Sequence, residues 1–283
     1  MLRHRPVLLG TATVIILVLG VVLGVTLTGG SGGPPKQSNS LAPVRTAATS
    51  SVLRQVTGVS TSVMDAAGVP SSSTVQPPSV DLGQPPLTVG SKPAAFTITS
   101  EYGAPCAAER WAIVMAFSRF GNFSRLKETT SSPWEADPDT ATFSFYGSRY
   151  SSNYLSLHDI ELYSNETGPN GSGRHLLEPP SAQEKSLWDQ YESHFGSPES
   201  YPFVDIGNKV FVIGPSYDPA LLAGLDQTQI ANKLTNPSDQ VTQAIVGSAN
   251  YLTAGICSVT HDRPSSVCSD PVVTQIARSL GLN

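Results

Sequence analysis

A short β-branched and aromatic run that passes through one tight turn into an apolar helical repeat constrains this chain more than any other feature. Ala94-Ala95-Phe96-Thr97-Ile98-Thr99 has the composition of a buried strand, and Trp111, Val114, Met115 and Phe117 recur at helical spacing until Gly121 stops the pattern. Between them lies the hexapeptide Glu101-Tyr102-Gly103-Ala104-Pro105-Cys106, which places Cys106 in the first turn of the helix. There, unpaired backbone N–H groups and the positive end of the dipole favour a thiolate.

In a strand-Cys-x-x-Cys-helix turn the first cysteine is the exposed nucleophile, and the second, three residues on, is the less accessible resolver. Here the first position is Gly103, and only the resolver's position, Cys106, keeps its sulfur. Dithiol cycling proceeds through a mixed disulfide that the partner thiol clears. It cannot run within Gly103-Ala104-Pro105-Cys106. Cys106 therefore has two readings: a buried small hydrophobe, or a lone reactive thiol resolved by a partner.

Residues 7–28 form an uncharged apolar run, long enough at about 1.5 Å per residue to cross a hydrocarbon core of about 30 Å. Arg3 and Arg5 precede it and no charge follows until Lys36, so residues 1–6 are expected in the cytoplasm and the remainder outside. A cleaved signal peptide is the rival reading. Its apolar region usually runs about 7–15 residues and ends at an A-x-A-like site, which is absent here. The Gly-, Ser- and Pro-rich residues 29–50 read as a flexible linker. Residues 51–283 are then a single extracytoplasmic domain.

A formal charge of −5 with no Lys/Arg run leaves no footprint for nucleic acid. Three cysteines in an outward-facing domain predict one disulfide and one leftover thiol. His4, His158, His175, His194 and His261 are scattered without metal-ligand spacing, and no Walker pattern occurs, so neither metal nor cofactor is expected. Glu101, Glu109 and Arg110 flank the turn. Glu109 and Arg110, being adjacent, point apart on a helix and read as solvated or paired groups. Asp205, inside an apolar strand, reads as a structural acid. Asn122, Asn165 and Asn170 head glycosylation sequons.

Along the outer domain, residues 52–67 read as two short helices broken near Gly58, and residues 70–93 as an irregular wrap. Residues 128–139 read as a loop, residues 142–146 and 154–163 as a hairpin, and residues 165–173 as a further loop. Ser181 with Glu184 makes a capping box at a helix start. Residues 201–206 and 209–213 read as strands joined at Gly207-Asn208. Two closing helices split at Asn236-Pro237. This order is that of an α/β domain with a mixed sheet.

The residues also resemble the domain of unknown function 929 family of archaeal and bacterial thioredoxin-like proteins. The likeness rests on Glu101 to Ala112, Ser118-Arg119-Phe120-Gly121-Asn122-Phe123, Thr142 to Gly147, Pro202 to Lys209, Ser216-Tyr217-Asp218-Pro219, and Ile256-Cys257 with Cys268. It implies a thioredoxin-like mixed sheet with an inserted hairpin and helical appendages. Members often carry Glu-Tyr-Cys-Pro-Tyr-Cys at the turn; Gly103 departs from that pattern. By the same likeness Pro202 is the cis-proline that faces the turn, and Tyr102, Gly103 and Pro202 line a groove for a polypeptide or thiol partner. Cys257 and Cys268 are expected to pin the tail by a disulfide worth about 3 kcal/mol on the chain-entropy model, with a catalytic pair as the rival reading. The function expected is non-catalytic binding by a membrane-anchored domain with a degenerate redox motif. A thiol-disulfide oxidoreductase acting through Cys106 alone is the alternative.

Overall fold

The computed structural model describes residues 45–167, 174–195 and 201–282. The expected anchor over residues 7–28 and most of the linker lie outside them, and no helix among the described residues is long and apolar enough to cross a membrane. Strand β1 (Thr46–Ala47) leads into helices α1 (Ser50–Thr57) and α2 (Thr61–Ala67), separated at Gly58. Ser60 caps α2 by accepting from Val63 N–H, which satisfies one of the helix's orphan donors. The wrap that follows contributes two short strands, β2 (Ser79–Val80) and β3 (Thr88–Val89), before β4 (Lys92–Thr99) and α3 (Ala104–Ser118).

Next come β5 (Gly121–Ser124), β6 (Lys127–Thr130), β7 (Ala141–Ser144), β8 (Arg149–Ser152), β9 (Ser156–Glu161), β10 (Tyr163–Thr167) and β11 (Arg174–Leu176). Helix α4 (Ala182–Phe195) precedes the hairpin β12 (Phe203–Ile206) and β13 (Val210–Ile213). A 3-10 turn (Pro219–Leu222) and helices α5 (Gln227–Lys233), α6 (Gln240–Val259), α7 (Ser265–Cys268) and α8 (Pro271–Ser279) close the chain.

The central sheet runs β2-β13-β12-β4, with β9 on the far side of β4. β4 pairs with β12 antiparallel and with β9 parallel. The passage from β4 to β9 goes through α3, so the strand-turn-helix unit sits at the centre of the sheet. Ala95, Val204 and Ile206 face the larger core beneath α3 and α6, while Phe96, Ile98 and Phe203 face a smaller one closed by Trp188 and Tyr191 of α4. A strand buried on both faces loses polar alternation, which is why β4 reads as a continuous apolar run.

Helix α3 is buried from Cys106 to Phe117, as a helix apolar on all sides must be. Gly255 lets α6 lie close to the sheet: a Cβ there would meet Ile206 Cδ1 and Val210 Cγ1 at 3.2 Å. The Gly207-Asn208 turn of the β12–β13 hairpin has both residues at positive φ, 71° and 57°. That is the geometry a two-residue hairpin of this hand requires. Ser181 and Glu184 cap α4 reciprocally, with bonds of 2.7 and 3.3 Å.

Three local expectations are corrected. β7 does not form a hairpin with the strand after residue 154; it pairs with β6, and β9 instead joins β4. The start of the stretch 128–139, read as a loop, belongs to β6, and β5 forms directly after the helix; each pairs with a strand further along the chain, β7 and β8. The end of the stretch read as linker is built into the fold. Thr46 and Ala47 pair with Glu128 and Lys127, and the Thr49 N–H donates to Glu128 at 2.8 Å.

Asp205 accepts from Asn208 N–H at 2.7 Å, and burial pushes its carboxyl up to about 7 against that bond. A carboxyl whose folded pKa exceeds its unfolded value binds its proton more tightly when folded, so its contribution to stability falls as pH rises between about 4 and 7. From 3.8 to about 7, this amounts to roughly 4 kcal/mol. Asp205→Asn keeps the acceptor and removes the titration. Denaturant unfolding at a series of pH values is expected to give a wild-type-minus-variant stability difference that declines across that window. A constant difference would show that Asp205 ionises freely.

Candidate functional site

Gly103 is the N-cap residue of α3, with φ −85° and ψ 128°, and Pro105 lies in the helix's first turn. This is ordinary extended backbone; no left-handed geometry demands glycine here. A Cβ at 103 would meet only Pro105 Cδ at 3.8 Å and Cys106 Sγ at 4.0 Å. The two positions therefore face each other as a Cys-x-x-Cys pair would, with one sulfur missing.

Cys106 is fully buried and free, and its Sγ accepts from Ser100 N–H at 3.3 Å. Burial pushes its thiol up to about 12, outweighing the pull of Arg110 and of the Ser100 N–H. Placement in a first helical turn, which favours a thiolate in water, does not overcome loss of solvent. The exposed and acidic thiol that a single-cysteine enzyme requires is not present in this conformation.

Gly103 is buried as well, where the sequence pattern expects an exposed nucleophile position. The cause is a polar and aromatic roof. The Tyr102 hydroxyl meets that of Tyr201 in a short hydrogen bond, and the two rings cross edge to face at 6.0 Å. Above the Tyr102 ring, at 4.3 Å, stands the Arg174 guanidinium, which also pairs with Glu135. Tyr102 carbonyl accepts from Ser132 N–H at 2.8 Å, anchoring the loop after β6 to the turn. Burial, and after it the Tyr201 contact, raise the Tyr102 phenol, and one of the two hydroxyls donates to the other. Beside this roof, Trp134 is 73% exposed and Leu176 53%.

The Tyr201–Pro202 bond is cis, as the resemblance implies. Phe203 pairs with Ile98, so Pro202 stands beside the end of β4, where the turn begins. Tyr102, Gly103, Cys106 and Pro202 are thus brought together. Cys257 and Cys268 are bonded to each other between α6 and α7, in a part of the domain that contributes nothing to the turn.

Beneath the turn lies a buried ionic network. Arg110 pairs closely with Glu161, which also accepts from Thr99 Oγ1 at 3.0 Å and Phe145 N–H at 3.1 Å. Glu101 accepts from Arg45 Nε and from Ser144 Oγ, each at 2.5 Å. Burial raises the Glu161 carboxyl, with Arg110 opposing. Glu109 points the other way, accepting from Ser216 N–H at 2.9 Å, Ser216 Oγ at 3.0 Å and Ser248 Oγ at 3.2 Å. The adjacent pair does diverge, but Glu101, Glu109 and Arg110 are all buried and paired rather than solvated.

Sequence reasoning missed Arg45, Ser144, Glu161, Arg174 and Tyr201. Each reaches the turn from a remote element, and only Ser144 sits in a segment that carries the family likeness. Asn165, read as a sequon, is buried and donates to Thr129 Oγ1 and the Thr130 carbonyl, both at 2.8 Å, whereas Asn122 is exposed. Asn170 lies outside the described residues. Among the described residues no group of three or more His, Cys, Asp or Glu is placed to hold a metal.

Residues 79–258 match the family described as domain of unknown function DUF929. The chain belongs to the DUF929 family. The matched span begins at β2 and runs to the end of α6, so it takes in the turn, Pro202 and Cys257 and stops short of Cys268. No curated protein and no solved structure matches the chain.

Proposed function

We propose that this DUF929 protein is a thioredoxin-like domain, tethered outside the membrane by residues 7–28, that has lost dithiol cycling and binds an extended polypeptide or protein partner at the turn. The observation that carries the reading is the pairing of a side-chain-free position 103 with a buried, protonated Cys106 4.0 Å from where a Cβ would stand. The sheet order β9-β4-β12-β13 with a helix between β4 and β9, and the cis bond before β12, support the thioredoxin-like assignment. The uncharged 22-residue run supports the tether, and full-length protein is expected in the membrane pellet after alkaline wash. The partner would meet Tyr102, Tyr201, Trp134 and Leu176, a surface rich in the aromatic anchors that dominate protein interfaces.

Insulin reduction and native-state alkylation test the redox half of this reading. Wild type and Cys106→Ser are expected to be equally inactive, and the Cys106 thiol to alkylate only after denaturation. Activity that disappears in Cys106→Ser, or a rapidly alkylated native thiol, would establish the single-cysteine enzyme instead. The binding half is read with reduced, carboxymethylated ribonuclease as an unfolded-chain probe. Affinity is expected to fall about fivefold or more in Trp134→Ala; unchanged affinity would remove the turn as the docking face.

A further inference from the structure

A cleft of about 1050 Å³ opens at the pole of the sheet opposite the turn. The eight residues of β4 separate the two places by roughly 25 Å, so this cleft is independent of any reading of Cys106. Its walls are the wrap before β4, the β12–β13 turn, the disulfide-closed loop after α6 and the segment after α8. These walls are tied to one another. Asn208 Nδ2 donates to the Pro85 carbonyl at 2.8 Å, Leu87 N–H to the Gly207 carbonyl at 3.2 Å, and Lys209 Nζ to the Leu282 carbonyl at 3.2 Å. The Cys257–Cys268 bond closes the loop that carries His261 and Arg263. The cleft is therefore formed before any ligand arrives, which lowers the ordering cost of binding.

Its charge runs against that of the chain. The chain carries a formal −5, yet the cleft is lined by Lys92, Lys209, Arg263 and His261 against a single acid, Asp81. Elsewhere in the described residues Arg45, Arg110, Arg119, Arg174, Lys185 and Lys233 are held in ion pairs, while Arg54, Arg125, Lys127, Arg149 and Arg278 form none with the described residues. None of the three cleft cations has a carboxylate within ion-pair distance among the described residues. Lys92 and Lys209 each give one hydrogen bond to a backbone carbonyl, which leaves two ammonium donors apiece.

We infer that this cleft binds a small anion, with one or more carboxylate or phosphate groups against Lys92, Lys209 and Arg263. The volume suits a metabolite-sized ligand. Cations that line one cleft with a single opposing acid also make the affinity sensitive to single charges.

Calorimetric titration of the full chain with citrate, glucose 6-phosphate and glucose decides the matter. One or both anions are expected to bind, glucose not to, and added salt to weaken the complex. Whichever anion binds identifies the carboxylate or the phosphate as the recognised group. Arg263→Glu, at an exposed position, is expected to weaken binding about tenfold or more, and Asp81→Asn, which retains the acceptor for Gly83 N–H, to strengthen it. A merely structural role for these residues would not move affinity in opposite directions. Failure of both anions to bind more tightly than glucose would overturn the inference, as would an Arg263→Glu protein with wild-type affinity.

Discussion

Gly103→Cys is expected to form a disulfide with Cys106 and to give this protein a dithiol it now lacks. The backbone at 103 accepts any residue, and a new Cβ would stand 4.0 Å from Cys106 Sγ with no contact closer than 3.8 Å. A disulfide needs the Cβ of one cysteine about 3 Å from the sulfur of the other, so an adjustment of about 1 Å closes it. Oxidised glutathione should then convert the variant to a form in which neither thiol alkylates after denaturation, while wild type keeps one. Insulin reduction is expected to rise about tenfold or more above the wild-type background. It should rise further when Arg174→Ala removes the guanidinium over Tyr102, because the roof limits access to the new sulfur. The control Gly103→Cys/Cys106→Ser separates a dithiol from a lone nucleophile. Failure of the disulfide to form would refute the geometry of positions 103 and 106. A disulfide with insulin reduction only in the Arg174→Ala background would place the obstacle in the roof.

Much of this site was legible because it is local. The strand and the start of helix α3 follow from composition and period within 25 residues, and Gly207-Asn208 and Ser181-Glu184 carry their turn and capping chemistry in two and four residues. The resemblance supplied the cis bond at Pro202 and the Cys257–Cys268 bridge. What was missed is non-local. β6 is a polar four-residue strand, Lys-Glu-Thr-Thr, that has no apolar alternation and is a strand only because β1 and β7 flank it. The roof over Gly103 gathers Tyr102, Tyr201, Arg174 and Glu135 from four separate segments. Glu101, Glu109 and Arg110 were left open between solvated and paired, and the structure has them buried and paired. A helix whose surface is apolar on every side has no solvated stripe on which to leave its charges, and each must find a partner inside.

Those interior partners give the largest stability effect expected in the domain. Arg110→Met removes the cation paired with Glu161 and leaves that carboxylate buried, with, among the described residues, Thr99 Oγ1 and Phe145 N–H to satisfy it. Breaking one partner of a buried pair typically costs about 3–5 kcal/mol, because the surviving charge has neither water nor counterion. For a domain of this size that corresponds to a fall of roughly 10 °C in Tm. Arg110→Met/Glu161→Gln should recover much of the loss, since a neutral amide leaves no uncompensated charge. The pH dependence has a definite sign. Without Arg110 the Glu161 pKa rises further above its unfolded value, so the deficit of the single variant should shrink as pH falls and Glu161 takes up its proton, and grow as pH rises. Arg110 also lies one helical turn beyond Cys106 and opposes the burial that raises its thiol, so the variant should make Cys106 still harder to ionise. A loss below about 1 kcal/mol that does not vary with pH would mean the pair is solvated and weak, as surface ion pairs are. A large, pH-graded loss would identify it as the fixed charge on which the floor of the turn is built.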